Sequence, residues 1–109
     1  MTTTSPRKLI SQLLAEDAEL RDVVEDFVRV LPDRLAELRR AFEDLDWNQL
    51  TTFAHRLKGA SGSYGYPEIS EVAARMESAF RAQEAGNFGE WSQELDLLIR
   101  AAELGLAEH

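Results

Sequence analysis

Residues 46–67 read DWNQLTTFAHRLKGASGSYGYP, and both ends of this stretch carry helix punctuation. Asp46 can accept from an orphan amide of a first helical turn, and Gln49 three residues later completes a capping-box pattern. Gly65 and Pro67 are stop signals, because glycine tolerates the left-handed backbone that closes a helix and proline cannot continue one. Between these ends Leu50, Phe53, Ala54, Leu57, Ala60 and Tyr64 recur at three- and four-residue spacings. The stretch therefore predicts an amphipathic helix that ends before Gly65.

The same signals extend in both directions. Upstream, residues 17–43 carry Leu20, Val24, Phe27, Leu31, Leu35, Leu38 and Phe42 at helical spacing and predict one long helix. Pro32 is its weak point, since a missing amide and a ring clash imply a bend near Val28 or two helices at a shallow angle, with the bend preferred. A short helix is expected before it, with Ser5 as cap, Pro6 in the first turn and Leu9, Ile10, Leu13 and Leu14 on its apolar side. Downstream, Pro67 opens a fourth helix that buries Ile69, Val72, Ala73, Met76 and Phe80 and is expected to stop at Gly86. Asn87, with Glu90 three residues on, caps a fifth that carries Phe88, Trp91, Leu95, Leu98 and Ala102. Short joints between amphipathic helices favour antiparallel neighbours. The expected fold is all-α: an up-down antiparallel four-helix bundle with a short additional N-terminal helix over one end. One domain is expected over residues 1–109, with 1–5 a flexible tail and 6–109 helical, and there is no repeat, low-complexity tract or linker.

Composition narrows the function. A chain of 109 residues suits one core without staples, and with no cysteine and two histidines, one of them the terminal His109, a thiolate nucleophile, a zinc cluster and a disulfide framework are set aside. Twenty acidic residues against 12 basic give a net charge of −8, which repels nucleic acid and anionic membranes and favours a protein partner. No signal peptide or apolar run of membrane-spanning length is visible, so cytoplasmic residence is expected.

His55 lies two residues after Phe53 and two before Leu57, which at about 100° per residue places it opposite the apolar stripe, facing solvent. It shares that face with Asn48, Thr51, Thr52, Lys58, Gly59 and Gly62, so small side chains and one cation border the ring. A helical glycine costs about 1 kcal/mol relative to alanine, and Gly59 and Gly62 stand one and two turns beyond the histidine. Close approach of another molecule or of a phosphoryl group explains a missing Cβ at Gly59, whereas Gly62 can equally serve helix packing. Imidazole has a well-populated neutral form near neutral pH, with a ring nitrogen free to attack phosphorus, and Lys58 one turn along can neutralise phosphoryl oxygens. Taken singly, an exposed histidine, lysine or helical glycine is an ordinary surface feature; the arrangement is more informative than any member.

Residues 53–65, FAHRLKGASGSYG, resemble the signature of the histidine-containing phosphotransfer (HPt) family, a histidine followed by Leu-Lys-Gly and later a helix-ending glycine. His55, Leu57, Lys58, Gly59, Ser61 and Gly65 match the pattern; Arg56 and Ala60 fall at variable positions, and Tyr66-Pro67 departs from the small or aliphatic residue common there. The resemblance extends more loosely over residues 20–104. It implies a phosphohistidine at His55, Lys58 near the phosphoryl group, Gly59 leaving room for a receiver domain, and Leu57 anchoring the helix. Family members often carry an acidic or amide residue near the histidine on the following helix, and Glu77 matches that position. Glu77 is read either as an acceptor that fixes the imidazole tautomer or as a solvated carboxylate, with solvation preferred. Arg81 can assist the phosphate by charge or be inert, and Thr51 and Gly62 are supporting candidates.

The implied function is a phosphocarrier that takes a phosphoryl group from the aspartate of a hybrid histidine kinase's receiver domain and passes it to the receiver of a response regulator. No Gly-rich phosphate loop, kinase-type nucleotide site or metal cluster is visible, so an autonomous enzyme is not expected, no cofactor is needed, and any magnesium comes from the partner receiver. Docking is expected on the His55 face together with an apolar patch from Leu9, Ile10 and Leu13. A monomer is the default. The alternative is a helical interaction module that binds a signalling partner without being phosphorylated.

Overall fold

A computed structural model describes residues 8–108, which form helices and no strand. α1 (Gln12–Glu16) and a 3-10 turn (Ala18–Leu20) lead into α2 (Arg21–Glu43), α3 (Trp47–Ser63), α4 (Pro67–Arg81) and α5 (Phe88–Glu108). Each of the four long helices packs on the next, and α5 closes the ring against α2, as expected of an up-down bundle. Its core is the apolar stripe read from each helix: Val24, Phe27, Leu31, Leu35 and Leu38 of α2, Leu50, Ala54 and Leu57 of α3, Ile69, Val72, Ala73, Met76 and Phe80 of α4, and Leu95, Leu98 and Ala102 of α5. Burial of each large side chain stabilises the bundle by about 1.5–3 kcal/mol, and stacked rings add to it, with Phe42 on Phe88 at 4.1 Å and Phe27 on Tyr64 at 4.8 Å.

The ends of α3 are those its sequence announces. The Asp46 carboxylate accepts from the Gln49 amide at 3.1 Å, and Gly65 takes a φ of +87°. Pro67 occupies the first turn of α4. Three other boundaries differ. α1 is capped not by Ser5, which lies outside the described residues along with the expected tail, but by Ser11, whose hydroxyl accepts from the Leu14 amide. Residues 8–11 are not helical: the Leu9 amide donates to the Ala101 carbonyl, tying the chain to α5. Asp17 caps the 3-10 turn, and α2 begins only at Arg21. α4 stops at Arg81, short of Gly86, because Gln83 turns left-handed at φ 57° and the Glu84 amide returns to the Ala79 carbonyl. Pro32 does not split the long helix in two. Its ring lies on the exposed face of α2, away from the core.

The N-terminal segment is fastened to the end of the helix that carries His55. Ser11 donates to the Tyr64 carbonyl at 2.6 Å, and the Gln12 amide donates to the Gly65 carbonyl at 2.9 Å. A Cβ at Gly65 would overlap the backbone of Leu13 and Gln12, so this close approach needs glycine for both its conformation and its lack of a side chain.

Candidate functional site

His55 projects from the middle of α3 with 61% of its side chain exposed, while Glu77, on the facing turn of α4, is 6% exposed. The two meet at 2.7 Å, His55 Nδ1 to Glu77 Oε2. Lys58 Nζ reaches Glu77 Oε1 at 2.6 Å, and an Arg81 guanidinium nitrogen reaches Oε2 at 2.8 Å. Glu77 is thus no solvated carboxylate, and the preferred reading of it from sequence is corrected. It continues the stripe of Ala73 and Phe80 into the α3–α4 interface, and it stays charged there because its oxygens are all engaged. The Lys58 hydrogen bond, with help from His55 and the charge of Arg81, holds its carboxyl down at about 2 against the upward push of burial.

An ionised carboxylate can only accept, so Nδ1 of His55 donates to it, and in the neutral ring the lone pair is on Nε2. Lys58 is set in place through its backbone, whose carbonyl accepts from the Ser70 hydroxyl at 2.8 Å. At Gly59 a Cβ would meet nothing within 4 Å, so no contact inside the molecule explains the glycine. A Cβ at Gly62 would make only ordinary contact with the Ser70 hydroxyl, which removes tight packing as its reason. Thr51 does not join the cluster: its hydroxyl bonds back to the Trp47 carbonyl of its own helix. The structure therefore brings His55, Lys58, Glu77 and Arg81 together, with Gly59 open beside them.

The expected apolar patch at the N-terminus is not there. Leu9 is buried and Leu13 half-buried, leaving Ile10 as the exposed member. An apolar groove of about 490 Å³ lies instead between α2 and α3, floored by Val23, Phe27, Val30, Phe53, Ala60 and Tyr64 and rimmed by Arg56. Sequence reading missed Val23 and Val30; the available signal was an apolar pair seven residues apart on α2, outside its main stripe.

A family model described as the Hpt domain matches residues 22–105, from the first turn of α2 into the last turns of α5. The chain belongs to the Hpt domain family. Membership places it among the histidine phosphotransfer modules of two-component systems, which lack kinase activity of their own. No curated protein and no solved structure gives a significant match. Among the described residues of this Hpt domain, no group of three or more His, Cys, Asp or Glu side chains is placed to hold a metal, and no helix is long and apolar enough to cross a membrane.

Proposed function

We propose that this Hpt domain is a phosphocarrier that accepts a phosphoryl group on Nε2 of His55 from a receiver-domain aspartate and passes it to a second receiver in a phosphorelay. The observation that carries this reading is the pairing of an exposed imidazole with a buried carboxylate, which directs the nucleophilic nitrogen outward. In the forward step the Nε2 lone pair forms the N–P bond while the P–O electron pair leaves with the receiver's aspartate. Positioning and charge neutralisation carry such a transfer, and Lys58 is one turn from the reacting nitrogen to meet the phosphoryl oxygens. Glu77 fixes the tautomer, Arg81 holds Glu77, and Gly59 leaves space for the incoming receiver.

On the helical wheel of α3 the open face runs from His55 past Gly59 and Thr52 to Arg56 and the α2–α3 groove. The receiver seats over that side, its apolar contacts in the groove and its aspartate at Nε2. The partners are the receivers of a hybrid kinase and of a response regulator; they bring the magnesium, and the carrier acts as a cytoplasmic monomer with no cofactor of its own.

The test is phosphoryl transfer from an acetyl-phosphate-charged receiver to the wild type and to His55→Gln. An acid-labile, alkali-stable label in the wild type that is missing from His55→Gln is the expected result. No label from any of several receivers, with receiver binding intact, would instead mean an interaction module.

A further inference from the structure

Glu77 holds three donors on two oxygens, Lys58 on Oε1 and His55 together with Arg81 on Oε2. The charged groups facing it are thus Lys58 and the imidazole from α3 and Arg81 from its own helix; among the described residues no ion pair reaches it from α2 or α5. Resting on the phosphocarrier reading, we propose that Glu77 makes phosphorylated His55 a short-lived, ready donor rather than a store of phosphoryl groups.

When Nε2 takes the phosphoryl group, Nδ1 keeps its hydrogen, so the product ring is an N-phosphoimidazolium whose positive charge lies against the Glu77 carboxylate. In the onward step the N–P electron pair returns to Nε2, a receiver carboxylate oxygen forms the new P–O bond, and neutral imidazole leaves. If Nδ1 had lost its proton, the leaving group would be imidazolate, a much stronger base that departs far more slowly. Loss to water follows the same rule. A buried carboxylate 2.7 Å from Nδ1 favours the protonated ring and so favours departure of the phosphoryl group. Glu77 also shares Lys58 with the phosphoryl oxygens, which loosens the hold of that cation on the group it would otherwise stabilise.

The experiment compares wild type with Glu77→Gln, which keeps the volume and a carbonyl acceptor but not the charge. Both are loaded from an acetyl-phosphate-charged receiver and freed of it, and loss of label and transfer to fresh receiver are followed against pH. The expected result is a label that lasts about tenfold longer near neutral pH in Glu77→Gln, transfers about tenfold more slowly, and has both pH profiles moved down by about one unit. Equal lifetimes with superimposable profiles would overturn the proposal. Nitrogen NMR of the phosphorylated wild type decides the matter without the variant. Nδ1 should lose its proton about one pH unit higher than in a phosphorylated peptide of residues 50–60, and an equal midpoint would overturn the proposal. A wild type that takes no label brings down the phosphocarrier reading and this inference together; a labelled wild type with an unaltered variant brings down this inference alone.

Discussion

His55 and Glu77, 22 positions apart on neighbouring helices, share a 2.7 Å hydrogen bond in which one partner is exposed and the other buried. This asymmetry bears on stability, since the carboxylate that accepts from the imidazole must itself be kept charged inside an interface. Its folded-state value of about 2 lies below the ordinary 4.5, so the native protein binds fewer protons there than the unfolded chain does. The stabilisation from Glu77 is therefore complete above about pH 5 and is lost as pH falls from 4.5 toward about 2. Thermal unfolding of wild type and Glu77→Gln over this range should show the wild-type advantage shrinking toward acid. A Tm difference that stays constant down to pH 2 would contradict the assignment.

Two glycines, one inside α3 and one just past its end, should respond to alanine with opposite signs. Gly59 is inside α3 with open space where a Cβ would be, so Gly59→Ala should stabilise by about 0.5–1 kcal/mol through helix propensity. Gly65 has a φ of +87° and the backbone of Leu13 and Gln12 against it, so Gly65→Ala should cost more than about 1 kcal/mol. Denaturant midpoints for the two variants read the contrast directly. If Gly59→Ala is the more destabilised of the two, the space beside His55 is not open as described.

What the sequence made legible was local. The ends of α3 and the apolar stripes follow from residues within a turn or two of one another, and there the structure agrees. The start of α1 was misread because Ser5-Pro6 is the stronger local cap, while the segment from Leu9 is held out of helix by a bond to Ala101, 92 residues away. The stop of α4 was misread because Gln83, which is not a usual left-handed residue, makes the turn. Glu77 was misjudged for a related reason: its place on the α4 stripe is visible in sequence, but the convergence of Lys58 and His55 upon it is a property of the packed pair α3–α4. An acidic residue four positions after Ala73 on an apolar stripe was the clue to its burial.

Pro32 is a second local feature with a stability consequence. It removes the amide that would donate to the Val28 carbonyl and sits in the interior of an unbroken 23-residue helix. Restoring that bond with Pro32→Ala should gain about 3 kcal/mol in the folded state, less about 0.4–1 kcal/mol that proline saves by restricting the unfolded chain. The net expectation is a clear rise in Tm with no change in phosphoryl transfer, because Pro32 faces solvent and does not line the groove beside His55. An unchanged or lowered Tm would mean that α2 needs the proline's geometry to wrap the core.

Arg56 offers the sharpest separation of docking from chemistry. It follows His55 directly, rims the α2–α3 groove, and has no ion-pair or hydrogen-bond partner among the described residues, unlike Lys58 and Arg81, which Glu77 occupies. Nothing inside the molecule should therefore suffer when its charge is reversed, and Arg56→Glu should leave the Tm within about 1–2 °C of wild type. A charge at the edge of a docking surface acts on encounter and is screened by salt. The receiver concentration for half-maximal transfer should accordingly rise about tenfold at low ionic strength, with the difference narrowing as salt is added and the rate at saturation preserved. Transfer kinetics at two salt concentrations measure all three quantities. A fall in the saturating rate would place Arg56 at the phosphoryl group itself, whereas no effect at either salt would move the receiver's footprint off the α2 side of His55.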